Sequence, residues 1–328
     1  MAKIVLGVGS SHSPILLMEP KAWLERGAVD DKTRFTLFDN DGEQIKYADL
    51  LAKAPPQTEA ELDPVLMQQR HEANEAGIRA VAKALSDADP DVIIAIGDDQ
   101  REVFHDENMP ALSVYWGETL PYLPQGIMKW KYADELRSEK WYPQEALNFP
   151  VNAKLAERLI GDLCEMGFDP SHSKFYPEGQ GMSHSFGYIY HRLMIEKVWP
   201  LIPISINAYY PPNQISPLRA FDIGEAIRRA VKSWPEDIRV AVVATGGLSH
   251  FVVDEQLDNM FLDILREGGR ESHATLPRKR LQSGNSELRC WSMLAGAVDG
   301  MTFDLIDYVP CYRTPAGTGC GIAFATWR

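Results

Sequence analysis

Two short apolar runs constrain the fold of this chain more than any other feature of its sequence. Residues 92–96 read VIIAI and residues 240–244 read VAVVA, so neither run contains a polar side chain. Strands of this kind are covered on both faces, which is typical of parallel or mixed sheets between layers of helices. Because helical patterns separate the runs, we predict a three-layer α/β/α fold around a mostly parallel or mixed central sheet.

Other segments extend the same pattern. Further strands are predicted at residues 3–9, 111–116, 200–210, 302–309 and 321–327, and helices at residues 66–85, 151–167, 216–231 and 285–298. Residues 15–65 and 118–149 are irregular and too long for ordinary connections, so they are interpreted as insertions. No low-complexity linker divides the chain, and residues 1–328 are predicted to form a single domain.

The composition indicates which classes of binding partner are not expected. Of the 328 residues 46 are acidic and 33 are basic, which leaves a formal net charge of −13. Such a chain repels phosphate backbones and anionic lipids, so neither nucleic acid nor a membrane is expected as a partner. The four cysteines form no CxxC pair, and the opening MAKIVLGVGSSHSP shows no signal peptide. A cytoplasmic protein is therefore expected.

Polar side chains stand where several predicted strands end. They are His12 in SSHSP, the run Asp98, Asp99 and Gln100 after VIIAI, and His250 in GGLSH after VAVVA. Since parallel strands bring their carboxyl ends to one edge of a sheet, these side chains are expected to converge on one cleft. Imidazole and carboxylate ligands together suit Fe(II), Mn(II) or Zn(II). A histidine left uncoordinated can serve as acid and base.

Two more candidates join this group. Glu287 comes early in the helix predicted at residues 285–298, and His184 lies in GMSHS. Each candidate by itself also has a structural explanation: a strand-end histidine is often a hydrogen-bonded core residue, and Glu287 could complete a capping box. The joint occurrence of all of them favours a functional site.

The motifs that carry these residues resemble a known family. SSHSP, a strand ending in DDQ, MSHSFG, ATGGLSHF and NSELRCWSMLAGA occur in this order. They are similar to motifs of the class III extradiol ring-cleavage dioxygenases, the family of the protocatechuate 4,5-dioxygenase beta subunits and the gallate dioxygenases. The resemblance implies one catalytic domain with insertions at about 15–65 and 118–149, self-association as a homo-oligomer such as a dimer, and a small accessory subunit as in some relatives.

The resemblance also implies roles for individual residues. It predicts a non-haem Fe(II) held by two histidines and one glutamate, with His12 as the first ligand and Glu287 as the carboxylate ligand. His250 matches the acid and base that takes a proton from a catechol hydroxyl. His184 matches a second active-site histidine that contacts a substrate oxygen.

Gln100 departs from the family pattern. It stands where the family usually has its second histidine ligand, and we predict that Gln100 takes that position. Asp98 and Asp99 are assigned beside the substrate or behind the ligands, but either could coordinate in place of Gln100. A site richer in carboxylates would favour Mn(II) or Mg(II), and a site that holds no metal is a further alternative.

The function that the resemblance implies is extradiol cleavage of a catecholic aromatic acid, similar to protocatechuate or gallate, with O₂. Arg101 and Arg219 are candidate partners for a substrate carboxylate, and Tyr115, Trp116, Tyr122 and Trp130 are candidates for the wall around the ring. The Gln100 substitution leaves open a non-oxidative hydrolase, lyase or isomerase acting on a phenolic substrate. A non-catalytic binding protein on the same fold is the second alternative.

Overall fold

The structure is a computed structural model that describes residues 1–32, 36–124 and 142–328. In chain order its strands are β1 (Lys3–Ser10), β2 (Leu37–Phe38), β3 (Gln44–Ile45), β4 (Val92–Asp98), β5 (Leu112–Tyr115), β6 (Thr119–Tyr122), β7 (Leu147–Pro150), β8 (Ser171–Ser173), β9 (Leu201–Ile206), β10 (Arg239–Thr245), β11 (His250–Val252), β12 (Phe303–Tyr312) and β13 (Thr318–Trp327). Its α-helices are α1 (Pro20–Gly27), α2 (Tyr47–Lys53), α3 (Pro64–Ala88), α4 (Ala153–Glu165), α5 (His184–Tyr188), α6 (Pro217–Ser233), α7 (Glu255–Glu267) and α8 (Leu288–Ala297).

The central sheet is mixed, with a parallel middle. Its strand order is β11-β13-β1-β10-β4-β9-β5-β8, and β12 also pairs with β13. Strands β1, β10, β4 and β9 run parallel to one another. Strand β13 is antiparallel to β1, β11 and β12, and β5 is antiparallel to β9. The predicted mostly parallel or mixed sheet is confirmed.

The apolar run in β4 is buried on both faces because successive side chains of a strand point to opposite sides. Ile94 belongs to a core cluster that includes Ile227 of α6 and Leu294 of α8. Ile93 belongs to another cluster, which includes Val81 of α3. Helices therefore cover both faces of the sheet, and the predicted three-layer fold is confirmed.

The structure starts one helix later than predicted, and this changes the position of a site residue relative to that helix. The helix predicted at residues 285–298 begins only at Leu288, after the 3-10 turn Ser283–Glu287. Gly284 of this turn lies so close to the His250 ring that a Cβ there would overlap it. Glu287 is the last residue of this turn, so it lies immediately before α8 and not one turn inside it.

The predicted insertions contain short elements. Residues 15–65 include α1, the hairpin of β2 and β3, and α2. Residues 118–149 include the antiparallel pair of β6 and β7. Residues 125–141, with the candidate Trp130, lie outside the described residues.

Two whole-chain expectations concern membrane spans and cysteines. Across the described ranges, no helix combines the length and the apolar character that crossing a membrane requires. All four cysteines are free thiols, and Cys164 is exposed while Cys290, Cys311 and Cys320 are buried.

Helices α6 and α8 cross with their backbones in close contact. A Cβ on Gly296 would overlap the carbonyl oxygen of Phe221, and one on Gly224 would overlap that of Met293. Backbone atoms cannot turn aside as a flexible side chain can. We therefore expect Gly296→Ala to lower the free energy of unfolding by about 2–3 kcal/mol, measured by urea denaturation.

Gly161 provides the matched control for this substitution. It lies exposed in the middle of α4, and no atom would come within 4 Å of an added Cβ. Gly161→Ala should raise the free energy of unfolding by about 0.5–1 kcal/mol, because alanine reduces the entropy of the unfolded chain. Equal stability of Gly296→Ala and the native protein would contradict the close packing.

Candidate metal centre and active site

The parallel strands bring the candidate residues to one edge of the sheet. The last residues of β1 and β10, Ser10 and Thr245, lie side by side, and β4 pairs with β10 on its other side. His12 follows β1 by two residues, Asp98 is the last residue of β4, and the loop that carries His250 follows β10. The predicted convergence of strand ends is therefore present in the fold.

Four side chains converge closely at this edge. His12 Nε2 lies 3.2 Å from His184 Nε2, 3.5 Å from Asp98 Oδ1 and 3.5 Å from Glu287 Oε2. One donor atom from each of His12, Asp98 and His184 lies within 4.8 Å of the others. All four residues are buried.

These spacings fit a divalent metal ion. Metal–ligand bonds of about 2.0–2.2 Å place neighbouring ligand atoms about 3.0–3.5 Å apart, as His12 Nε2 is from its three neighbours. Asp98 is fully buried, and neither of its carboxylate oxygens has a hydrogen-bond partner among the described residues. Burial and the charge of Glu287 raise the pKa of Asp98 well above its ordinary value. A bound cation would interact with the carboxylate oxygens that have no hydrogen-bond partner, and it would favour the charged form of Asp98.

The two clustered imidazoles have opposite electrostatic surroundings. Burial lowers the pKa of His12 to about 3, despite the opposing charge of Glu287. Burial also disfavours the charged form of His184, but the charge and hydrogen bond of Glu102 outweigh it and raise the pKa of His184 to about 10. His12 is thus a neutral imidazole, which is the form that binds metals.

Glu287 connects this cluster to His250. Its Oε2 accepts a hydrogen bond of 2.6 Å from the backbone nitrogen of Gly247. Its Oε1 accepts a hydrogen bond from the Tyr209 hydroxyl and lies 3.1 Å from His250 Nε2. Burial opposes ionisation, but the charge of His250 and the hydrogen bonds with His250 and Tyr209 hold the pKa of Glu287 below its ordinary value. One oxygen therefore faces His12 while the other faces His250.

His250 is oriented by its own loop. Its Nδ1 lies 3.0 Å from the carbonyl oxygen of Leu248, and its backbone nitrogen donates to Asn285 Oδ1 at 2.8 Å. Burial lowers its pKa, but Glu287 outweighs burial by its charge and hydrogen bond, so the pKa of His250 is raised. The ring therefore points Nε2 towards Tyr209 and Glu287 and can hold a proton there.

Gln100 and Asp99 make other contacts at the same edge. Gln100 Nε2 donates to the Tyr209 hydroxyl at 3.1 Å, one hydrogen bond away from Glu287. The carboxylate of Asp99 accepts from the backbone nitrogens of Val103 and Phe104 at 3.0 and 3.2 Å. Asp99 thus stabilises the loop after β4. Coordination by Gln100 and a substrate role for Asp99 stay predictions.

Sequence reasoning overlooked three residues of this site. Glu102 accepts hydrogen bonds from the Tyr142 hydroxyl and from His184, and Tyr209 contacts both His250 and Glu287. Glu102 lies only two residues after the DDQ motif, but the segment REVF that contains it looks like an ordinary charged loop. Its complete burial depends on packing that local sequence does not reveal.

The residues proposed to bind or surround a substrate are divided between two regions. The Arg101 guanidinium lies 4.4 Å from the centre of the Tyr210 ring, next to Tyr209, and also pairs with Asp106. Arg219 instead lies over Phe168, a residue of the core cluster formed with α6 and α8. Arg101 is therefore the better placed of the two candidates.

The predicted aromatic wall is only partly described. Tyr115 and Tyr122 are buried, and Tyr115 donates to the carbonyl oxygen of Thr119 at 2.8 Å. Trp116 donates to His172 at 2.9 Å. Neither hydrogen bond is with a residue of the metal-binding cluster, and the part of Tyr115 and Trp116 in binding a ring stays a prediction.

A buried aspartate, Asp258, holds the loop of His250 from behind. It accepts hydrogen bonds from the backbone nitrogen and hydroxyl of Ser249, at 2.8 and 2.7 Å, and from the Tyr308 hydroxyl at 2.8 Å. Burial raises the pKa of Asp258 from 3.8 to about 7, although these hydrogen bonds oppose the rise. Between these values the folded protein keeps a proton that the unfolded chain has lost.

The free energy of unfolding should therefore fall as the pH rises from 3.8 to about 7, the two pKa values of Asp258. We expect Asp258→Asn to lose this dependence, because an amide has the same shape and does not ionise. The difference in unfolding free energy, variant minus native, should rise on the order of 2–4 kcal/mol between pH 4 and pH 8. Urea denaturation at several pH values measures it, and a difference that is independent of pH would refute the assignment.

Comparison with known proteins identifies the family of this chain. The family model described as the catalytic LigB subunit of aromatic ring-opening dioxygenase matches residues 53–321. This is most of the chain, which therefore belongs to that family, and the resemblance to class III extradiol dioxygenases is confirmed at family level. Gallate dioxygenase of Pseudomonas putida is 30% identical over 159 residues, which is 45% of this chain and 46% of the relative. The chain thus spans about half the length of that relative.

Proposed function

We propose that this protein opens the ring of a catecholic aromatic acid with O₂ by extradiol cleavage, and that Fe(II) is its metal. The observation that carries the proposal is that one donor atom from each of His12, Asp98 and His184 lies within 4.8 Å of the others, with Glu287 Oε2 3.5 Å from His12 Nε2. His250 lies directly beside this group, 3.1 Å from Glu287. Membership of the ring-opening dioxygenase family supports the same reaction class.

The proposed ligands are the two imidazoles and the two carboxylates of this cluster. Mixed histidine and carboxylate donors suit Fe(II), which would bind the two adjacent ring oxygens of the substrate and bring O₂ beside them. Gln100 is left out of the set because its amide nitrogen donates to Tyr209. Asp98 offers instead a charged oxygen that no described donor satisfies.

The residues of the chain supply the proton transfers. His250 Nε2 takes a proton from a ring hydroxyl, and Glu287 Oε1 at 3.1 Å stabilises the imidazolium that results. Tyr209 lies 3.0 Å from the same nitrogen and donates to the same carboxylate oxygen, so it holds both groups in place. Arg101, stacked on Tyr210, is the cation proposed for the substrate carboxylate.

Metal content and O₂ uptake test the proposal. The full chain is purified without oxygen, its metals are measured by mass spectrometry, and O₂ uptake is followed with protocatechuate, gallate, an O-methylated gallate and catechol. One Fe per chain with uptake on a catecholic acid supports the proposal. A bound metal without O₂ uptake on any of these substrates contradicts the proposal in favour of a non-oxidative enzyme. If the protein has neither a bound metal nor O₂ uptake, a non-catalytic binding protein is indicated.

A substitution of Gln100 tests the ligand set separately. With the four proposed ligands intact, Gln100→Ala should weaken Fe(II) binding by less than the roughly 10–100-fold that follows from losing a group bonded directly to a ligand, because the Gln100 amide donates to Tyr209. A much larger loss of affinity would contradict this set and support the predicted role of Gln100 as a ligand.

A further inference from the structure

Glu102 is a buried acid that directly contacts His184 of the metal-binding cluster. It lies in the loop after β4, and its side chain is completely buried. A carboxylate in such a position is costly unless donors surround it. The hydrogen bonds of Glu102 therefore point to what it does.

Both oxygens of Glu102 are occupied by donors. Oε1 accepts from the backbone nitrogen of His184 at 2.8 Å and from the Tyr142 hydroxyl at 2.7 Å. Oε2 lies 2.8 Å from His184 Nδ1 and accepts a long contact of 3.4 Å from the backbone nitrogen of Gln100. Two of these contacts hold the backbone and the ring of His184 together.

This arrangement decides which nitrogen of His184 carries a proton. A carboxylate accepts only, so Nδ1 must donate to it. The other nitrogen, Nε2, faces His12 Nε2 at 3.2 Å. Two imidazole lone pairs at that distance repel each other unless a proton or a metal ion lies between them.

We propose that Glu102 is a positioning residue that holds His184 with its proton on Nδ1, so that Nε2 is presented as a metal ligand. The inference rests on the proposed metal centre and adds to it the group behind one of its ligands. A carboxylate behind a ligating histidine fixes the ring and makes its other nitrogen a stronger donor. Tyr142 in turn fixes the carboxylate.

Metal affinity of the full-length chain tests the proposal, with Zn(II) as the probe in competition with a chromophoric chelator. Glu102→Gln places an amide where a carboxylate meets two N–H donors of His184, and Zn(II) affinity should fall about 10–100-fold. Tyr142→Phe should have a smaller effect in the same direction. Asp30→Asn, another exchange of a buried carboxylate for an amide, should leave Zn(II) affinity unchanged, because Asp30 pairs with Arg313 and lies outside the metal-binding cluster.

A measurement on the native protein keeps the test valid if Glu102→Gln does not fold. Nitrogen-15 NMR of histidine-labelled, Zn(II)-loaded protein should show His184 protonated on Nδ1, with its signal assigned by its loss in His184→Gln. A signal for protonated Nε2 would overturn the inference, as would native Zn(II) affinity in folded Glu102→Gln. If the native chain bound no metal, the proposed function itself would fail, which is a different result.

Discussion

Asp98→Asn is expected to abolish tight metal binding and to leave the metal-free protein at least as stable as the native one. The native carboxylate is fully buried, and neither oxygen has a hydrogen-bond partner among the described residues. Its charge lies near that of Glu287, which contributes to raising its pKa. The amide removes this repulsion and also removes the charged metal ligand.

The expected loss of Fe(II) or Zn(II) affinity exceeds the roughly 10–100-fold that follows from changing a group behind a ligand. Chelator competition measures the affinity, and thermal unfolding of the metal-free proteins measures the stability. A variant that kept native metal affinity would show that Asp98 does not coordinate.

The neighbouring aspartate provides a control with the opposite pattern. Asp99 accepts two backbone hydrogen bonds, from Val103 and Phe104. In Asp99→Asn the amide nitrogen must face one of these donors, so the variant should lose about 1–2 kcal/mol of stability. Its metal affinity should stay close to native, because its carboxylate faces the loop and not the cluster. Equal behaviour of the two variants would contradict the distinction between these aspartates.

His250→Gln is expected to lower kcat about 10²–10⁴-fold while the metal stays bound. The imidazole contacts Oε1 of Glu287, whereas Oε2 of that residue lies towards His12. Removing His250 therefore removes the proton acceptor without removing any of the four proposed ligands. Initial rates of O₂ uptake on the most active substrate of the panel give kcat, and metal analysis of the same sample gives occupancy.

His172 supplies the matched control for this variant. It lies exposed in β8, where it accepts a hydrogen bond from Trp116. His172→Gln should keep native kcat and native metal content. If His250→Gln retained most of its activity, the assignment of the acid and base to this residue would be wrong.

Much of the fold follows from local patterns. The apolar runs in β4 and β10 predict strands covered on both faces, and both strands lie in the middle of the sheet. The helix predicted at residues 66–85 corresponds to α3, Pro64–Ala88, because its apolar spacing reflects one buried face. Such features depend on neighbouring residues only, and they survive in the folded protein.

Two three-residue strands could not be predicted in this way. Ser171–Ser173 and His250–Val252 pair with β5 and β13, respectively, and neither segment has a strand-like apolar pattern of its own. Their conformation depends on partners that are distant in the chain. Propensity and periodicity do not contain that information.

For the site, the sequence by itself determined the candidates: His12, Asp98 and His250 could be named from motifs at strand ends, and His184 and Glu287 from other motifs. Only the tertiary structure decided how they group. It placed His184 against His12, left Asp98 without a described donor, and put the overlooked Glu102 behind His184. The physical reason is that burial and the direction of a side chain depend on which strands pair and which loops pack over them, and these contacts join residues far apart in sequence.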